Sequence, residues 1–179
     1  CRDYFIPVPR NYLMDDFYIS MNVLSNNKKA INELEANCYE DVSVKPLEEF
    51  KRKVRISAGN FQNLSVYKGL LWPPFTGKAF AFLSHKVLRW FTPFFIITAL
   101  ISNLLLINYY IFYQITLCVL IAAFCIVILD LVLKIININW KLFRFIFHFF
   151  YMNCALLIGF FKFSLGVKTN IWQPTERNQ

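Results

Sequence analysis

Residues 90–129 read WFTPFFIITALISNLLLINYYIFYQITLCVLIAAFCIVIL, an unbroken run without Asp, Glu, Lys or Arg that is bounded by Arg89 and Asp130. A water-soluble fold rarely tolerates such a run. A bilayer core takes about 20 apolar residues per helical crossing, so the stretch is long enough for two crossings. The rest of the chain leans the same way: 57% of its 179 residues are hydrophobic, 18% are aromatic and five are glycine. The apolar share of a soluble domain is about 45–50%, which makes a membrane protein the first class to consider.

Outward from this run, the charge is unevenly placed. The net charge is +8, and residues 45–89 hold nine Lys or Arg against only Glu48 and Glu49. A basic belt beside a crossing reads as cytoplasmic, with attraction to anionic lipid as a second effect. Nucleic-acid binding is set aside, because the belt has a membrane explanation and no stacking platform or zinc knuckle accompanies it. Three transmembrane helices are expected, at about 91–107, 109–133 and 142–163, with Asn108 in a tight hairpin between the first two. Lys134, Lys141 and Arg144 mark the second loop as cytoplasmic along with residues 1–90, so the third crossing carries the C-terminus to the other side, against the pull of Lys162 and Lys168. Asp130 is expected to pair with Lys134 one helical turn on, and His148 to be a packed or hydrogen-bonded helix residue rather than a ligand. Two distant histidines and no Cys-His cluster leave no metal site to read. Cysteines 1, 38, 118, 125 and 154 form no CxxC pair and are expected as free, buried thiols. The start, Cys1-Arg2-Asp3, has neither an initiator Met nor an apolar leader, and reads as a truncated front.

The first part of the chain is patterned as soluble structure. An extended run is expected at Tyr4 to Val8, and then a helix opened by Asp15 and Asp16, with Met14, Phe17, Met21 and Leu24 at helical spacing before Ser25-Asn26-Asn27. Residues 29–38 suggest a short strand. Pro46 suits the first turn of a second helix, in which Leu47, Phe50, Val54, Ala58, Phe61 and Leu64 make an apolar stripe, while Arg52, Arg55, Gly59 and Gln62 share another face. A basic amphipathic helix of this kind lies in the membrane interface, the alternative being a surface helix packed on protein. Trp72-Pro73-Pro74 breaks the chain, and residues 78–90, with Phe80, His85, Lys86, Arg89 and Trp90, belong at a headgroup boundary.

Taken together, Asp15-Asp16-Phe17, the run from Glu49 to Gln62 and Ser84-His85-Lys86-Val87-Leu88-Arg89-Trp90 resemble the membrane-bound family-two glycosyltransferases, which include the cellulose, hyaluronan, chitin and poly-N-acetylglucosamine synthases. In that family an acidic pair, usually Glu-Asp, opens a helix beneath the sugar site and its second member is the catalytic base. The resemblance gives that role to Asp16, with Asp15 in place of Glu. A sugar hydroxyl attacking an anomeric carbon must lose its proton as the bond forms, which is work for a positioned carboxylate. Two acids at a helix start also cap it without any catalysis. The family's Gln-x-x-Arg-Trp falls on Arg52, Arg55 and Ile56. Arg55 keeps a guanidinium that can hold a leaving diphosphate through paired hydrogen bonds, and Arg52 adds to it. Ile56 in place of Trp removes an aromatic face for the acceptor sugar, which keeps single addition or a lipid-linked acceptor open beside polymer synthesis. Membrane-surface anchoring is the competing account of both arginines.

The expected fold class is a mainly α membrane protein. Residues 1–44 form the end of a GT-A-like α/β domain whose front is missing, 45–90 interfacial helices, 91–163 the transmembrane region and 164–179 a tail. The resemblance implies an inverting transfer from a nucleotide-sugar, a UDP-sugar, to a glycan or lipid-linked acceptor at the cytoplasmic face of a bacterial inner membrane. It implies a divalent cation, Mg or Mn, with its ligands outside these residues, and it leaves room for a partner subunit. No nucleic-acid partner is expected. The rival is a non-catalytic polytopic scaffold or transporter subunit, which explains the crossings and the basic belt equally well.

Overall fold

The computed structural model describes residues 6–31, 33, 35–37 and 46–167. These are mainly helical, and among the described residues there is no strand. The strand expected over 29–38 is absent from the described part of that segment, and residues 6–9 carry no regular structure. Tyr4, Phe5, Cys1 and Cys38 lie outside the described residues. The chain divides into two compact units: residues 1–90 together with 158–179, and residues 91–157.

The first unit is built on α1 (Asp15–Ser25) and α2 (Pro46–Tyr67). Pro46 opens α2, where a missing N–H costs no intrahelical bond, and Glu48 and Glu49 follow in the first turn beside the positive end of the helix. A 3-10 turn (Lys68–Leu71) ends at the extended Trp72. α3 (Gly77–Phe82) then starts from Thr76, whose hydroxyl oxygen accepts the Ala79 amide at 3.3 Å. A π turn (Leu83–Val87) leads to the short α4 (Leu88–Trp90). The unit is completed by the last turns of the 24-residue helix α7 (Lys141–Ser164), from Ile158 onward.

Phe61 is the centre of this unit. It is 3% exposed and touches Trp90, Phe160 and Phe163, with ring centroids 6.5, 5.1 and 6.2 Å away. Close approach of two backbones makes that possible. A Cβ placed on Gly159 would fall 2.3 Å from Ser57 Cβ and 2.8 Å from the Val54 carbonyl oxygen, so only glycine fits there. Small residues at a helix contact allow such an approach, and Ser57 and Ala58 are fully buried by it. The apolar stripe of α2 is therefore covered by protein at Ala58 and Phe61, as the packed-helix alternative requires, while Leu47 at its start stays exposed.

The second unit holds α5 (Thr92–Leu106), α6 (Ile111–Ile135) and α7 up to Leu157. The expected hairpin forms: the Tyr109 amide donates to Leu106 O at 3.0 Å, and Gln114 Nε2 donates to Ile107 O at 3.1 Å. Buried Asn103 donates to Ala99 O at 2.7 Å and accepts the Thr116 hydroxyl from the facing helix. Between α6 and α7, the rings of Phe124 and Phe150 meet at a tilt of 47°, their centroids 4.9 Å apart. Asp130, 1% exposed, faces Arg144 Nε at 3.5 Å. This corrects the expected Asp130–Lys134 pair: Lys134 projects from the same helix and is exposed, whereas Arg144 arrives from the facing helix and brings a guanidinium to a carboxylate that α6 has already buried. Cys118, Cys125 and Cys154 are free, as expected, but exposed on their helices rather than buried.

α6 and α7 are each long and apolar enough to cross a membrane. A third crossing arises only if the bent pair Gly77–Trp90 and Thr92–Leu106 counts as one.

The Gly159 contact sets a test. Gly159→Ala drives a methyl group into the α2 backbone and is expected to cost about 1–3 kcal/mol, the usual cost of overpacking. Gly69→Ala meets open space and should stay within about 0.5 kcal/mol of the parent. Thermal unfolding of both variants in detergent measures the difference.

Candidate functional site

The segment leading into α1 is seated on α2. The Leu13 amide donates to Gln62 Oε1 at 3.2 Å, and Gln62 Nε2 donates to Asn11 O at 2.9 Å, so one side chain holds both a donor and an acceptor of that backbone. One turn earlier on α2, a Cβ on Gly59 would fall 2.5 Å from Met14 Cγ and 3.2 Å from Leu13 Cβ. Glycine at 59 thus lets the chain pass across the helix immediately before the acidic pair.

Asp15 and Asp16 follow directly. Met14 makes no side-chain cap, so the first turn is served from within: Asp15 Oδ1 accepts the Asp16 amide at 3.0 Å, and Asp16 Oδ1 accepts the Phe17 amide at 2.7 Å. Both carboxylates are exposed, each with a second oxygen beyond the one its neighbour's amide uses. The arginines stand on the stripe that carries Gly59 and Gln62. Spacings of three, four and three residues place 52, 55, 59 and 62 along one line of α2, and Arg55 lies roughly 6 Å along the axis from Gly59 at 1.5 Å per residue. Arg55 is half-buried. Arg52 is drawn to Glu49 at 3.8 Å, and Glu49 also holds Lys53 at 3.2 Å. The acidic pair and Arg55 are therefore served by one face of α2, with Arg52 a turn further away and shared with a carboxylate.

The third segment of the resemblance closes on the same place. Trp90, 2% exposed, meets Phe17 edge-on at 5.9 Å and Phe82 at 6.1 Å, and Lys86 Nζ lies 5.5 Å from the centroid of the Phe17 ring. The cation over a ring is a favourable contact in its own right. Phe17 is the residue that follows Asp16, so the His-Lys-Val-Leu-Arg-Trp segment reaches the acidic pair through one aromatic side chain. Gln62 and Phe17 carry this assembly, and the sequence pattern alone assigned a role to neither.

Tyrosines line the other side of α1. Tyr12 and Tyr18 pack 4.7 Å apart, Tyr18 and Tyr67 5.6 Å apart, and the Tyr67 hydroxyl donates to Tyr18 O at 2.9 Å. Burial, followed by the neighbouring Tyr18 and Tyr12, pushes the Tyr67 phenol well above its ordinary value, and burial raises Tyr12 as well.

Among the described residues no three His, Cys, Asp or Glu side chains gather to hold a metal ion. Compared with known proteins, the chain matches no family model, no curated protein and no solved structure.

The tyrosine cluster predicts a pH dependence. An unfolded tyrosine ionises near pH 10, while folded Tyr67 keeps its proton to higher pH. Its contribution to stability is then complete below about pH 10 and is lost as pH rises above that value. Tyr67→Phe should lose about 0.5–1.5 kcal/mol at neutral pH with the hydrogen bond to Tyr18 O, and show a shallower alkaline decline than the parent. Unfolding midpoints between pH 7 and pH 11 read both effects.

Proposed function

We propose that this chain is the membrane-side part of an inverting glycosyltransferase of the family-two kind, acting on a nucleotide-sugar and a glycan or lipid-linked acceptor at the face of the membrane that carries α2. The observation that supports this reading is convergence. Three segments that resemble the family, separated by tens of residues in sequence, meet around Phe17: the acidic pair precedes it, α2 seats its loop through Gln62 and Gly59, and Trp90 and Lys86 pack on its ring.

In the proposed reaction an acceptor hydroxyl oxygen bonds to the anomeric carbon while the bond from that carbon to the diphosphate breaks, so the configuration inverts. The hydroxyl proton passes to the free oxygen of Asp16. The departing nucleoside diphosphate gathers charge on its oxygens, which Arg55, aided by Arg52, offsets through charge-assisted hydrogen bonds. The resemblance implies a donor-binding half and a divalent cation, and this chain's own residues supply the base and the cationic side chains. A non-catalytic role for the pair is favoured by one observation: each carboxylate already accepts an amide of its own first turn. The same variants separate the two readings.

In the protein that carries both halves, Asp16→Asn should lower sugar transfer by about a hundredfold to ten-thousandfold while membrane insertion and donor binding persist, because Asn still caps a helix and cannot take a proton. Asp15→Asn should be milder. Radiolabelled sugar incorporation in nanodiscs measures this, and near-parental transfer by Asp16→Asn would leave capping as the role of the pair. Arg55→Ala should weaken turnover and nucleotide inhibition more than Lys53→Ala, whose ammonium is held by Glu49. Equal losses would point to attraction for lipid.

A further inference from the structure

Phe61 stands between Trp90 and Phe160, its ring centroid 6.5 Å from the first and 5.1 Å from the second. Trp90 and Phe160 are thus separated by less than half of the roughly 30 Å hydrocarbon thickness of a bilayer. Trp90 stands two residues before α5, and Phe160 lies in the last turns of α7. Crossings between two points on the same face must be even in number, since an odd number leaves the points on opposite faces. α6 and α7, with 25 and 24 residues, are each long enough to cross. The 15 residues of α5 reach only about 22 Å.

We propose that the chain crosses the membrane twice between Trp90 and Ser164, as the α6–α7 hairpin, and that α5 is re-entrant, entering and leaving at the face that carries α2. Its partner is the acyl region of that one leaflet, into which the exposed Phe95, Ile101, Leu104 and Leu105 project. Tyr109 and Tyr110, exposed where the chain returns, suit the boundary between acyl chains and headgroups. Charge agrees. With two crossings Lys162 joins the nine Lys and Arg of residues 45–89 on one face. The opposite loop keeps Lys134 and Lys141, its Arg144 being tied to Asp130. That is the asymmetry of the positive-inside bias, whereas three crossings place Lys162 against it. The crossing number is independent of any catalytic role for α1 or α2.

The test uses single cysteines in a background with all five native cysteines changed to Ser, sealed vesicles of known orientation and a membrane-impermeant maleimide. Lys51→Cys, Asn108→Cys and Leu165→Cys should label from one side, and Ile138→Cys only from the other. Asn108→Cys and Leu165→Cys labelling together from the side opposite Lys51→Cys would establish three crossings and overturn the proposal, as would labelling of all four from one side. If the cysteine-free chain does not insert, epitopes placed after Asn26 and after Gly166 in the native-cysteine chain give a second reading. Digestion of both from the same side of sealed vesicles supports two crossings, and digestion from opposite sides overturns them.

Discussion

The fit of Gly159 against Ser57 governs the unit that holds the candidate site. Two helix backbones approach there with no space for a methyl group, and the approach brings Phe160 and Phe163 onto Phe61. Phe61 supports Trp90, Trp90 supports Phe17, and Phe17 follows Asp16. Gly59 repeats the device on the stripe that faces α1, where a missing side chain admits Leu13 and Met14. α2 is thus fixed on two faces by two glycines, one its own and one supplied by α7. Dispersion and burial among packed rings then hold what the close approaches permit.

Much of this architecture was legible in the sequence. The uncharged run announced α5 and α6, Asn108 lies at their hairpin, and the break at Trp72-Pro73-Pro74 separates α2 from α3. The acidic pair opens α1, and the grouping of Arg52, Arg55, Gly59 and Gln62 on one face proved to be the surface that seats the approach to α1. These features are local, set by spacing along one helix. What sequence reasoning missed is nonlocal. Nothing in the periodicity of α2 shows that its stripe is covered at Ala58 and Phe61 by a helix from the far end of the chain; the one signal is a glycine at 159 within a helix otherwise rich in Phe and Leu. The same limit applies to Asp130. Spacing favoured Lys134, a neighbour along the helix, whereas the facing helix supplied Arg144.

Polar groups within the apolar helices are treated consistently. Asn103 and Asn153 each donate to the carbonyl four residues earlier, and Thr116 ties its hydroxyl both to its own helix and to Asn103. Asp130 has a cation from the facing helix. Where water is scarce, an unmet polar group is costly, so these side chains either fold back onto backbone or reach across to the next helix. Links of the second kind also fix the register of the α5–α6 and α6–α7 pairs, a task that apolar contacts of similar shape perform less selectively.

The distance in sequence between Ser57 and Gly159 has a consequence for biosynthesis. About a hundred residues separate them, and at a translation rate of about 5–20 residues per second α2 is finished on the order of ten seconds before the helix that covers it. Throughout that interval Phe61 has no Phe160 to pack against, and the recess at Ser57 is open. As the ribosome continues, the amphipathic helix keeps an uncovered apolar stripe beside its basic residues, the pattern of a helix that suits a membrane interface. Its final seat forms only after α6 and α7 have been made, so a surface that the mature chain keeps for itself waits on the last helix to cover it.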